Sequence, residues 1–169
     1  MAKKDARNTK GRIVDAAWSL FYEKGYEGTT IEEIVERSET SKGSFYHYFD
    51  SKDALLSSLS YLFDAKYEQL MQDMDPEMNS FDKLMYLNHE LFLMIENSVP
   101  MDLLAQMYSS QLITYGDRHL LNQSRTYYRV LRRIVIEGQN RGQLRTDVSV
   151  NEIIKAYAML ERAMIYDWC

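Results

Sequence analysis

The sequence predicts an all-α protein, with a head of short helices followed by a bundle of longer ones. Apolar residues recur at helical spacing almost everywhere, and no alternating stretch of useful strand length appears. Only Pro76, Pro100 and seven glycines interrupt the 169 residues. From Phe81 onward the pattern lengthens into long amphipathic segments.

The first helix is predicted from about Lys10 to Lys24. Ile13, Ala16, Ala17, Leu20 and Phe21 form its stripe, and Gly25 is placed as its stop. Thr30-Ile31-Glu32-Glu33 then reads as a capping box, in which a threonine hydroxyl and a glutamate three residues later satisfy each other's orphan amides. The second helix is short and ends near Arg37. A polar break, Ser38 to Ser41, precedes a third short helix over about Lys42–Tyr48, anchored only by aromatic residues. A long fourth helix is expected over Lys52–Met74, capped by Asp50 or Ser51, with Leu55, Leu59, Leu62, Phe63, Tyr67 and Leu70 on one side and Pro76 beyond its end. Later helices are expected over about Phe81–Glu96, Met101–Tyr115, His119–Arg141 and from Val150 onward. The last still carries Met159, Leu160, Met164, Ile165 and Trp168 where the sequence stops, so the expectation is a C-terminal domain that is incomplete.

The composition, 46% hydrophobic and 27% charged, suits an ordinary globular protein, and a chain of this length buries roughly 70% of its unfolded surface. A net charge of −5 argues against coating nucleic acid by bulk charge. It leaves room for a local basic patch, and Lys3, Lys4, Arg7, Lys10 and Arg12 face only Asp5 in the first twelve residues, a segment that also reads as a disordered tail. Cys169 stands alone, the N-terminus lacks the apolar core of a signal peptide, and no run approaches the roughly 20 apolar residues of a spanning helix, so a soluble, cytoplasmic protein without membrane partners is expected. His47, His89 and His119 are scattered, and neither a Gly-rich phosphate loop nor an HExxH spacing occurs; no enzyme activity, metal or cofactor is expected.

Two short helices joined by a four-residue polar turn cross steeply, as in a helix-turn-helix, whose second helix enters the DNA major groove. That helix suits the role. Lys42, Ser44 and His47 offer donors, Gly43 permits close approach, and Tyr46 and Tyr48 carry hydroxyls on rigid rings. Phe45 and Phe49, four apart, read as core. Tyr46, His47 and Tyr48 are consecutive and cannot all face one interior, which favours a contact surface over a purely structural role.

The stretch Gly25-Tyr26-Glu27-Gly28-Thr29-Thr30-Ile31-Glu32-Glu33-Ile34, with Ser41-Lys42-Gly43-Ser44-Phe45-Tyr46-His47-Tyr48-Phe49 and Ser51-Lys52-Asp53-Ala54-Leu55, resembles the DNA-binding region of TetR-family (tetracycline-repressor-like) regulators over about residues 8–60. Beyond it, the segment from Glu137 to Asp147 resembles the family's usual close of the seventh helix. The resemblance implies a ligand-responsive regulator of transcription, most simply a repressor, that binds a palindromic operator as a homodimer. It implies that Tyr46, Tyr48 and Lys52 grip phosphates, that Lys42, Gly43, Ser44 and His47 belong to the groove-facing side of the third helix, that Ser41 just before it is also a DNA-binding residue, and that Thr30 caps a helix whose end meets the backbone. Whether such a regulator represses or activates depends on where its operator lies, and a helical protein-interaction adaptor without DNA binding is the rival reading. The domain expectation is therefore a DNA-binding head over residues 1–53, with its basic arm, and a ligand-sensing and dimerisation domain over residues 54–169.

The second domain holds nine of the thirteen tyrosines and nine of the ten methionines, a composition that suits either an adaptable apolar pocket or simply an all-α core. Candidate pocket residues for a small apolar effector are Tyr86, His89, Phe92, Met107, Tyr108, Gln111, Tyr115, Tyr127 and Tyr128. The final helix, Val150–Trp168, is the candidate dimer interface.

Overall fold

The computed structural model describes the backbone of residues 2–56, 58–112 and 119–169, and the side chains within them except those of residues 2–8, 59, 61 and 119. Its helices are α1 (Ala2–Lys24), α2 (Ile31–Arg37), α3 (Lys42–Tyr48), α4 (Lys52–Leu56), α5 (Leu59–Asp73), α6 (Ser80–Ser98), α7 (Met101–Leu112), α8 (Thr126–Asn140) and α9 (Val150–Trp168), with a 3-10 turn at His119–Leu121 before α8. Among the described residues there is no strand. No helix there is long and apolar enough to cross a membrane.

The chain forms two compact units, residues 1–59 with 100–115, and residues 60–99 with 116–169. The division thus falls six residues beyond the boundary expected at residue 53, and α7 joins the N-terminal unit. In that unit Ile13, Ala17, Phe21, Ile34, Phe45, Leu55, Leu56, Leu103 and Leu104 are all but removed from solvent. Gly25 ends α1 with φ +78, the left-handed value that favours glycine, as its place after Lys24 predicts. In the second unit the buried faces are Leu84, Leu87, Leu91 and Ile95 of α6, Leu131, Ile134 and Val135 of α8, and Ile154, Ala158 and Ile165 of α9. Gly138 lets α8 meet the start of α6, since a Cβ there would lie 2.7 Å from Ser80 Cβ and 2.6 Å from Leu144 Cδ1.

Three helix boundaries differ from the sequence expectation. Helix α1 begins at Ala2 rather than near Lys10, because Ala2 to Arg7 is built largely of alanine, lysine and arginine, which favour a helix. The helix expected to run unbroken over Lys52–Met74 is two helices, α4 and α5. At the break Ser58 is buried; its hydroxyl donates to the Leu55 carbonyl (2.5 Å), its amide donates to the same oxygen (2.9 Å), and it accepts from Trp18 Nε1 (2.8 Å). A serine that turns onto its own backbone competes with helix continuation. The helix expected from His119 begins instead at Thr126, because Asn122 Oδ1 accepts from the Ser124 amide (2.9 Å) and hydroxyl (2.7 Å) and folds the chain into a turn.

Ser58→Ala should therefore leave the buried Trp18 N–H without its acceptor and lower unfolding free energy by about 1–3 kcal/mol, read from urea denaturation. A change within experimental error would mean that the Trp18–Ser58 bond does not hold this unit together.

Candidate nucleic-acid interface

The helix-turn-helix is assembled from local chemistry. Thr30 Oγ1 accepts from the Glu33 amide (3.3 Å) while the Thr30 amide donates to Glu33 Oε2 (2.9 Å), the reciprocal cap that the sequence predicts. Hydrogen bonds from Lys24 and from Thr30 hold the Glu33 carboxyl down at about 2. Arg37 makes a two-pronged pair with Glu23 (2.6 and 2.8 Å), fastening the end of α2 to α1. The turn that follows carries Glu39 at φ +51, a left-handed conformation that non-glycine residues rarely adopt. Ser41 then caps α3, its hydroxyl accepting from the Ser44 amide at 3.0 Å.

Within α3, Phe45 is fully buried and Phe49, just past its end, is 6% exposed; their rings lie 5.7 Å apart. The opposite side is open. Lys42, Gly43, Tyr46 and His47 are exposed, and Ser44 and Tyr48 are half-buried. Tyr46 rests its ring edge-on against Phe45, and His47 lies edge-on to Tyr48 with centroids 4.7 Å apart. A Cβ at Gly43 would make only an ordinary 3.7 Å contact with Ser41 Oγ, so nothing within the head requires glycine there.

Lys52 occupies a more interior place than a phosphate-gripping role alone suggests. Its ammonium donates to the carbonyls of Tyr26 (2.8 Å) and Thr29 (2.9 Å) and lies 4.1 Å from the centre of the Tyr26 ring. Tyr26 in turn donates to Asp53, and burial followed by that carboxylate raises the Tyr26 hydroxyl far above its ordinary value. These contacts tie α4 to the turn that presents Thr30. An ammonium has three donors, so one remains for an acceptor outside the head.

The effector candidates divide between the units. Met107 is buried in α7, with Tyr108 and Gln111 half-buried beside it. In the second unit Tyr127 and Tyr128 are buried, Tyr86 and Phe92 are half-buried, and His89 is exposed; Tyr115 lies outside the described residues. Phe92 stacks on Trp168 at 5.5 Å, while Tyr128 donates to the Leu120 carbonyl (3.2 Å). A cleft of about 410 Å³ in this unit contains none of them; it is lined by polar groups including Asp64, Glu68, Asn122 and Arg125.

One buried acid of the second unit lies outside the sites that the sequence suggests. Glu161 is 6% exposed, 3.4 Å from the Tyr67 hydroxyl, with Tyr127 and Tyr157 also beside it. The Tyr127 hydroxyl is buried without a hydrogen bond of ordinary geometry. Burial raises the Glu161 carboxyl to about 7, against the lowering effect of the Tyr127 and Tyr67 hydroxyls and of Arg162 and Arg125. The signal was there: Glu161 falls in register with Ile154, Ala158 and Ile165 on the buried stripe of α9.

Residues 13–59 match the family described as "Bacterial regulatory proteins, tetR family". The biofilm operon icaADBC negative transcriptional regulator IcaR of Staphylococcus aureus is 32% identical over 121 residues, 68% of this chain and 64% of that protein. The chain spans less than two thirds of the length of the curated relatives it matches. Among solved structures, the Thermus thermophilus FadR repressor in complex with lauroyl-CoA superposes with TM-score 0.67 at 24% identity, covering 86% of this chain and 75% of that one. The Bacillus subtilis regulator FadR with stearoyl-CoA gives TM-score 0.64 at 19% identity, over 94% and 86% of the two chains. The fold is shared with both.

The native protein binds the Glu161 proton more tightly than the unfolded chain, whose glutamate titrates near 4.5. Its contribution to stability is thus fully present below about pH 4.5 and lost as pH rises through about 7. Glu161→Gln should stabilise the protein at pH 8 by roughly 1–3 kcal/mol and little at pH 5, measured by urea denaturation at both. An equal shift at both pH values would show that charge burial is not the cause.

Proposed function

From the match of residues 13–59 to the tetR family of bacterial regulatory proteins, we propose that this chain belongs to that family, represses transcription by binding a palindromic operator as a homodimer, and leaves it when a small apolar effector binds. One observation carries the reading: α3 is locked by Phe45 and Phe49 while Lys42, Gly43, Tyr46 and His47 stand in solvent, with Ser44 and Tyr48 half-buried beside them. Rigid donors on a protruding helix suit base edges in the major groove, and Tyr46, Tyr48 and the remaining donor of Lys52 suit phosphates. Ser41 and Thr30 act as the caps that set the approach of α3 and α2. Repression follows IcaR, whose name describes a negative regulator, and the apolar character of the effector follows the acyl chains of the acyl-CoA molecules bound to the two FadR structures. Tyr86, His89, Phe92, Met107, Tyr108, Gln111, Tyr115, Tyr127 and Tyr128 remain the candidates for contact with that effector. Effector release is a population shift, and it requires an effector that prefers the form with weaker operator affinity.

Dimerisation is proposed through α9. Its buried stripe leaves a second apolar stripe, Ala156, Met159, Leu160, Ala163 and Met164, in solvent at three- and four-residue spacing. Two such chains would present two α3 helices to half-sites about one turn (~34 Å) apart.

Duplexes selected from a random pool should bind in fluorescence anisotropy with an affinity that falls steeply as salt rises, and Ser44→Ala should change which duplexes are selected. Equal, weak binding to every duplex would overturn the DNA-reading assignment. Leu160→Asp should give a monomer in sedimentation and weaken operator binding by at least an order of magnitude; an intact dimer would place the interface elsewhere.

A further inference from the structure

The first turn of α2 carries two adjacent acids with separate partners. Glu33 closes the cap on Thr30 and pairs with Lys24. Glu32 takes no part in the cap. Its carboxylate lies 2.5 Å from the ammonium of Lys42, the first residue of α3, with both side chains more than half exposed. Tyr46, one turn along α3 from Lys42, stands in solvent on the same side. The only described side-chain charge pairing with the reading helix is therefore an acid aimed at its leading cation.

An exposed pair of this kind adds little to folding stability. Its position gives it a different consequence. A duplex entering at α3 must either take Lys42 away from Glu32 or accommodate a carboxylate beside its own polyanion. Phosphate contacts are indifferent to sequence, so an acid that restrains the leading cation weakens them wherever the protein lands. A base edge with an amino group, such as cytosine N4, is a donor that the same carboxylate can accept from.

We propose that Glu32 is a specificity-determining residue, which restrains Lys42 from sequence-independent phosphate contact and so widens the gap between operator and random DNA. The inference rests on the DNA-binding reading given above.

The test compares the full chain with Glu32→Gln, Glu32→Asp and Glu36→Gln, the last removing an exposed acid elsewhere on α2. Anisotropy is measured with a selected duplex and a random duplex across salt concentrations. Glu32→Gln should tighten random-duplex binding by about threefold or more and steepen its salt dependence by about one unit of log–log slope, while operator affinity changes less, so that discrimination falls. Glu32→Asp should retain most of the wild-type discrimination, and Glu36→Gln should leave it unchanged. In the Lys42→Gln background, Glu32→Gln should lose most of its effect. Equal changes for Glu32→Gln and Glu36→Gln would reduce the effect to bulk charge and overturn the proposal, as would unaltered discrimination in Glu32→Gln. If the wild-type chain shows no salt-sensitive duplex binding, the DNA-binding reading itself falls.

Discussion

Two phenylalanine rings, four residues apart, decide what the head can display. An isolated helix of seven residues is unstable in water, because nucleation costs more than so few hydrogen bonds return. Helix α3 persists because Phe45 and Phe49 are taken out of solvent beneath it and Ser41 closes its first turn. Each residue of a helix advances about 100° around the axis, so fixing Phe45 inward turns Tyr46 and His47 outward. Anchoring and display are thus one constraint. A smaller residue at Phe45 would free the whole reading surface to rotate.

Four cations of the head are held on that frame by fixed partners. Lys24 meets Glu33, Arg37 meets Glu23, Lys42 meets Glu32, and Lys52 meets two carbonyl oxygens. Exposed pairs of this kind contribute little to folding. They determine where each cation sits before a partner arrives. This reconciles an acidic chain with a proposed polyanionic ligand: binding exchanges partners for cations already in place, and Lys52 keeps its carbonyls while offering one more proton. Placing Lys52 among the Tyr26 and Thr29 carbonyls links the stability of the Gly25–Thr30 turn to the position of the α2 cap.

Most of the head was legible because its determinants are local. The cap at Thr30, the stop at Gly25, the two-residue anchor of α3 and the short lengths of α2 and α3 depend on neighbours within a few positions. What the sequence hid depends on partners far away in the chain or on hydrogen bonds that compete with a helix. Ser57-Ser58 reads as a tolerable stretch of helix until Trp18, 40 residues earlier, supplies the donor that fixes Ser58 in a turn. Asn122 reads as a helix residue until its side chain closes on Ser124. Lys52 reads as a surface cation until Tyr26 and Thr29 receive it. Glu161 is an acid, a residue type that ordinarily stays in water, yet its register with Ile154, Ala158 and Ile165 puts it inside. For the effector candidates composition does not decide, since tyrosine and methionine fill cores and line pockets equally well. Their division between two units is a property of chain topology that composition does not carry.

The two faces of α9 bear on how a reading helix this short achieves specificity. Its inner stripe is buried in the second unit, yet Met159, Leu160 and Met164 remain 54%, 66% and 45% exposed on the outer one. A helix apolar around so much of its circumference has two surfaces to bury, and one of them has no cover among the described residues. In the proposed role a single α3 would meet only a few base pairs, and each well-matched base contact contributes about 1–3 kcal/mol, which is too little to find one site in a genome. A symmetric pairing across the outer stripe would meet both needs with one operation, because the two-fold axis that covers Leu160 also duplicates α3. On this reading the apolar excess of α9 and the brevity of α3 are linked requirements: the shorter the reading helix, the more its specificity depends on a dimer contact made elsewhere in the chain.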